Sequence, residues 1–443
     1  MLISKQKKMK TVYKLFLTML LVVVACDNDL DQSPPNIASS DSLEDFGGVL
    51  NAAYFYQLGS TSPMAVMGDF RADNGLMQEE PYPSFDRFNG DLVDMEDQFF
   101  CPFYTALYKS ILSANNVIEN STISGQIAQA RFLRALSYFK LVLVFGDVTV
   151  NLSPSPSTSD NSILARTSAS EVYNTVIIPD LQDAIAALDN DFSEGRATKI
   201  AAQALLGKVY VHLGNFSSAE SQLAAAVNAA SGAGISLEPN FADIFVNDLN
   251  SEIIFATQIS SSVPDEYGFS DFWSWSGGLD TKSLEPLDSS LIAAFDASPG
   301  DLRRAVTIDE SKMASPKFPQ TGGPEHDWIE IRLADVILLY AEALNNNGNS
   351  SGAIAQLNKV RARAGVAALD ASTLSSSSAV NQAIHDERRL ELAFEGHRWF
   401  DLTRTGTAQS VMGQNFDNQY YLFPLPISEI LVSKGIITQN SGY

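Results

Sequence analysis

Cysteine is nearly absent from the chain, with only Cys26 and Cys101 among 443 residues. That excludes a disulfide framework and a Cys-ligated zinc site. Histidine is sparse too: the chain has four, and none stands in an H-E-x-x-H pattern. No Gly-rich, phosphate-cradling motif occurs. No apolar run approaches the ~20 residues needed to span a bilayer. Bases are few, with 29 Lys and Arg against 52 Asp and Glu and a net charge of −23. Such a surface repels nucleic acid phosphates and anionic lipid headgroups.

Aromatic and apolar residues are plentiful. The 25 Phe, 14 Tyr and 45% apolar content mark a globular chain able to bury a large core. Its organising pattern lies in residues 201–230. Ala202, Leu206, Val209 and Leu213 form one helical stripe. Gly214-Asn215 breaks it, and Phe216, Ala219, Leu223 and Val227 form a second. The pattern recurs with Ala334, Leu338, Ala341 and Leu344, then Gly348-Asn349, then Ala353, Leu357, Val360 and Ala364. Both copies read as αα-hairpins of tetratricopeptide type, too far apart in sequence for a tandem array. Further stripes run through Phe103, Leu107, Ile111, Ala114 and Ile118, and through Phe132, Leu136, Phe139 and Leu143. The expected fold is mainly α, with hairpins near 103–145, 200–230 and 328–365 and an irregular insert over 231–327. A helix is expected over 43–58 and a last long one over 380–394. Residues 59–90 read as mostly loop, and 253–259 as a short strand. Pro179 either kinks the helix over 172–188 or starts a new one.

The amino terminus reads as a leader. Lys5, Lys7, Lys8, Lys10 and Lys14 precede an apolar run from Leu15 to Ala25, and either Met1 or Met9 could start it. Val23-Val24-Ala25-Cys26 resembles a bacterial lipobox. That resemblance implies cleavage after residue 25 and a diacylglycerol on Cys26, the lipid being the only attached group expected. Asp27, Asp29 and Asp31 are similar to the surface-export signal of Bacteroidetes lipoproteins, and residues 26–42 read as a tether. Cys101, among Phe99, Phe100 and Phe103, reads as a buried inert thiol.

Longer stretches carry a family resemblance. Arg131–Asp147, Glu387–Leu402 and Leu422–Ile427 resemble signatures of the SusD/RagB family, with Ile331–Gly365 fitting between them. The resemblance implies one α-helical domain over 43–443. It also implies a surface lipoprotein of the outer membrane, facing outward and held by its lipid alone. Such a protein binds a nutrient, usually a glycan, and hands it to a SusC-like TonB-dependent transporter. Binding of peptides or another nutrient, or a purely protein-binding adaptor role, are the alternatives. The paired charges Arg131, Arg134, Glu387, Glu391 and Glu395 read as helix–helix ties.

A glycan presents C–H faces to aromatic rings and hydroxyls to amides, carboxylates and guanidiniums. Tyr267, Phe272, Trp273 and Trp275 lie in a Ser/Gly-rich stretch, with the two indoles on one side of an extended segment. A second candidate holds Arg71, Asp73, Asn74, Tyr82 and Phe85, where Asp73-Asn74 reads equally as a turn. Gly348-Asn349-Ser350-Ser351-Gly352 matches a serine hydrolase pattern but falls at a helical turn. No catalytic set and no metal site are expected.

Overall fold

The computed structural model describes residues 45–78, 80–157, 160–192, 195–260, 268–269, 286–319 and 326–443. Residues 46–443 form one compact unit. The leader, Cys26 and the tether lie outside the described residues, as do Tyr267, Phe272, Trp273 and Trp275.

The described helices of nine residues or more are α1 (Gly47–Phe55), α2 (Thr61–Asp69), α3 (Cys101–Asn120), α4 (Ser124–Phe145) and α5 (Ile178–Ala187), then α6 (Lys199–His212), α7 (Phe216–Ala230), α8 (Leu333–Asn346), α9 (Ser350–Arg363) and α10 (Ser377–Leu392). Four short strands form two antiparallel pairs. Strand β1 (Val148–Thr149) pairs with β2 (Arg166–Thr167), and β3 (Ile253–Thr257) with β4 (Trp328–Arg332). The fold is thus a helical scaffold with little strand.

Both hairpins form where the stripes place them, and their turns are built alike. Gly214 and Gly348 end α6 and α8 with φ of 68° and 88°, a conformation that needs no Cβ. Asn215 and Asn349 then cap α7 and α9, accepting from the backbone N–H of Ser218 at 3.2 Å and of Gly352 at 2.9 Å. The recurring Ala219 and Ala353 are fully buried at the seam. Leu213 departs from the reading: it is 42% exposed at the frayed end of α6.

Helix α7 packs directly on α8. The hairpins are therefore spatial neighbours, contrary to what their separation in sequence suggests. Helices α3, α4, α5 and α6 pack in turn ahead of them, giving one continuous stack. Residues 231–327 depart from this stack and return to it through the β3–β4 pairing.

Within residues 59–90 the loop reading omits one helix: α2 runs through nine of them. All nine of its residues are buried, so it shows no amphipathic period, and Pro63 lies in the first turn where no N–H is required. At Pro179 the second alternative holds: α5 starts at Ile178, after a π-type turn over Tyr173–Ile177, and Pro179 lies in its first turn. Cys101 is free and only part-buried, with its Sγ 3.9 Å from the hydroxyls of Thr105 and Ser428.

Gly68 of α2 touches the backbone of Gly396, so a Cβ there would overlap it, whereas Gly125 of α4 faces open space. Gly68→Ala is expected to destabilise by about 2 kcal/mol through overpacking. Gly125→Ala is expected to be neutral or to stabilise by up to about 1 kcal/mol. Denaturant midpoints of the two variants check this, and equal effects would contradict the packing.

Candidate functional site

The signature helix α10 points its carboxylates inward. Arg332, on β4, donates to Glu391 at 2.6 Å, to Glu395 at 2.6 and 2.8 Å, and to Glu252 at 2.8 Å. Arg303 grips Asp301 at 2.9 and 2.7 Å and lies 2.9 Å from Glu391 and 2.7 Å from Glu387. Lys317 reaches Glu395 at 2.6 Å, and Arg363 closes on Glu252 and Glu391. These side chains are almost wholly buried. Burial alone would raise the Glu391 carboxyl. The guanidiniums of Arg363, Arg332 and Arg303 override it and hold that carboxyl far below the usual range. Arg134 forms a comparable buried pair with Asp180 at 2.7 and 2.8 Å. The signature charges are ties between elements, as their spacing indicates.

The segment around Arg71 is also scaffold, which corrects part of the second ligand candidate. Arg71 is fully buried. Its guanidinium donates to the carbonyls of Phe85 at 2.7 Å and Tyr420 at 2.9 Å, and its carbon lies 4.4 Å from the Phe88 ring centroid. Asp73 is held by Arg398 at 2.7 and 3.0 Å and by Arg389 at 2.9 Å. Asn74 donates to Asp69 at 2.9 Å, and Asp69 also accepts from the N–H of Gly396 at 2.7 Å. Burial pushes Asp69 up to about 6. Phe85 has no exposed surface. Arg71 and Phe85 thus expose no surface to a ligand in this conformation, and the Asp73 charge is matched within the fold. The turn reading of Asp73-Asn74 agrees with the structure. Tyr82 stands apart: it is half-buried, and its hydroxyl accepts from Gln98 at 2.9 Å.

The structure nevertheless joins the roots of the two candidates. The chain carrying Trp273 and Trp275 re-enters the body at Pro286–Leu287. There Leu76 N–H donates to Pro286 O at 3.1 Å, Gly75 bridges Leu287, and Asp288 N–H donates to Asn74 O at 3.2 Å. Ser290 donates to Asp73 O at 2.9 Å and accepts from Arg389 at 2.8 Å. Within that stretch Phe269 is buried edge-on between Phe318 and Trp328, at 5.1 and 5.0 Å. Residues 286–288, which follow the Trp-bearing stretch in sequence, are thus bonded to the segment that leads to Tyr82. Sequence reasoning missed Arg389, Arg398 and Ser290, the residues that lock this root. The two arginines lie inside the Glu387–Leu402 signature, which was the available signal.

Other chemical candidates resolve into structure. His326 Nε2 is 2.6 Å from Pro319 O, and Asp327 accepts from Ile259 N–H at 2.8 Å. Ser350, in the G-x-S-x-G match, donates to Asn345 at 2.6 Å at a helical turn, not a strand–helix elbow. Among the described residues no group of three His, Cys, Asp or Glu could hold a metal ion.

Comparison with known proteins gives a consistent result. Residues 305–443 match a family model described as SusD family. Residues 26–211 match one described as "Starch-binding associating with outer membrane". The chain is similar to SusD-like protein P2 of Formosa agariphila, 28% identical over 97% of this chain and 99% of that one. Its fold is that of a SusD-like protein from Bacteroides fragilis, with TM-score 0.74 and 22% identity over 93% of this chain and 100% of that one. It is also similar to a solved structure described as a laminarin-binding SusD-like protein, with TM-score 0.70 and 25% identity over 90% and 99% of the two chains.

Two predictions follow from the charges. Arg332→Met leaves three buried carboxylates undercompensated and is expected to cost roughly 4 kcal/mol. Arg131→Ala, whose partner Asp183 is 59% exposed, should cost less than about 1 kcal/mol. Urea denaturation distinguishes them. The second prediction concerns His397, whose Nδ1 lies 3.2 Å from the Lys208 ammonium and so acts as acceptor. Burial, reinforced by Lys208, pushes this imidazole down to about 4. The unfolded imidazole titrates near about 6.5 and takes up protons first, so its contribution is intact above that pH and fades toward pH 4. The melting-temperature gap between wild type and His397→Gln should therefore shrink between pH 7 and 4.5. A gap independent of pH would contradict it.

Proposed function

The chain belongs to the SusD/RagB family, and on that premise we propose that it captures a glycan at the cell surface. It then delivers the glycan to a partner SusC-like TonB-dependent transporter of the outer membrane. In this reading the protein binds its ligand without altering it. Its anchor is the lipid on Cys26: a single acyl chain holds a membrane marginally, whereas the two or more of a bacterial lipoprotein hold it stably. No described helix is long and apolar enough to cross a membrane.

The observation that carries the reading is the shared root of the two loop segments. An aromatic platform needs rings that stay in place when no sugar covers them, and an otherwise exposed Trp needs something to cover it. Pairing of Gly75–Leu76 with Pro286–Leu287, and burial of Phe269, tie down the chain on both sides of Phe272, Trp273 and Trp275 in sequence, with Tyr267 two residues before Phe269. Tyr82 follows in the same frame. We assign ligand contact to these five residues. Arg71, Asp73, Asn74 and Phe85 support the frame from behind.

Trp273→Ala and Trp275→Ala are each expected to weaken binding of the cognate polysaccharide about tenfold, the scale of an aromatic hot spot, with melting temperature unchanged. Titration with a panel that includes laminarin, starch and host glycans checks this, with peptides as a parallel arm. Saturable peptide binding without any glycan binding would move the protein to the peptide reading. Co-purification of a β-barrel transporter with the wild type, and release of Cys26→Ser from membranes, are the matching outcomes for partner and anchor.

A further inference from the structure

A cavity of about 260 Å³ opens between the end of α1, Arg196 and the outer end of β3. It shares no lining residue with the loop root described above. Its lip is Phe55, a phenylalanine left 54% exposed. Beside it the Arg196 guanidinium lies 4.6 Å over the Tyr54 ring and donates to Asn51 Oδ1 at 2.6 Å. The Tyr54 hydroxyl is pinned in turn, donating to Gln129 at 2.8 Å and accepting from Ala197 N–H at 3.0 Å. Phe255 backs the wall, its ring 6.3 Å from Tyr54. The Gln258 amide closes the rim, donating to Gly195 O at 3.3 Å.

This is the pairing of groups that a sugar ring requires. An exposed aromatic face accepts C–H groups, and a flat, pre-oriented guanidinium with two amides surrounds it at hydroxyl height. The volume falls below the ~300–1,000 Å³ of drug-sized pockets, and so suits a single ring. A second cavity of about 430 Å³ runs along α3, lined by Tyr104, Tyr108, Ile111, Leu112, Ile163 and Leu164.

We propose that the Phe55–Arg196 cavity is a second carbohydrate site, taking one pyranose unit of the same glycan. The C–H face of the sugar rests on Phe55, and its hydroxyls meet Arg196, Asn51 and Gln258. The inference rests on the glycan reading above and extends it to a place on the molecule that the Trp-bearing stretch does not reach.

The test is retardation of the full-length protein in native gels containing laminarin or starch, and in gels of the other soluble polysaccharides in the panel. Phe55→Ala and Arg196→Ala should each weaken retardation about tenfold with melting temperature unchanged, while Phe55→Trp keeps it. Phe55 is exposed, so its variants fold even if those at Arg196 do not. Undiminished retardation of Phe55→Ala, in a gel where Trp273→Ala is lost, overturns the second site and leaves the glycan reading standing. Failure of the wild type in every gel removes both.

Discussion

The structure depends on the way Arg332 is buried among Glu252, Glu391 and Glu395. An ion taken out of water costs several kcal/mol unless its partners are placed for it. Here the partners come from four separate parts of the chain: strand β4, helix α10, the end of α9, and the insert through Glu252, Asp301, Arg303 and Lys317. The described part of the insert buries Phe241, Phe245, Leu291 and Phe295, and its charged groups pair with those of the stack beside the β3–β4 ladder. A bidentate fork tolerates little sliding, so these pairs fix the register of the residues that make them.

That constraint extends outward to the root of the proposed ligand site. Helix α10 carries Glu387 and Glu391 into the charge cluster, and on the same helix Arg389 reaches Asp73 O and Ser290. On either side of Glu395, the N–H groups of Phe394 and Gly396 donate to the Asp69 carboxylate. The root of the Trp-bearing stretch is thus bonded to the same helix that neutralises the core. Sequence signatures and ligand frame coincide because one helix serves both.

The hairpins were legible because their information is local. A Gly at positive φ, an Asn cap three residues before the N–H it accepts from, and stripes of period 3.6 all fall within one 30-residue window. Helix α2 was not legible, since burial on every face erases the period that marks a helix. Adjacency of α7 and α8 was hidden by the length of the insert between them. The Arg71–Asn74 segment misled for a related reason. Acid, base and amide close together in sequence look like a hydroxyl-binding set. Yet the partners of Asp73 are Arg389 and Arg398, more than 300 residues away. Local polarity does not say whether its partner is a ligand or a distant helix. Conversely, Phe55 sits in a sequence that reads as ordinary amphipathic helix, and only its exposure beside Arg196 sets it apart.

The two proposed sugar sites would together have a consequence that neither has alone. Each shallow aromatic contact holds a single ring loosely, and short oligosaccharides would leave as easily as they arrive. A polysaccharide long enough to touch both sites rebinds at the second before leaving the first. The gain depends on a fixed separation, because a frame that flexed would spread the effective concentration over many distances. A carrier of the proposed kind, which would release its cargo to a transporter, would gain from the arrangement. Affinity built from several loose contacts can be undone one contact at a time, whereas a single tight pocket must give up all its binding energy in one step.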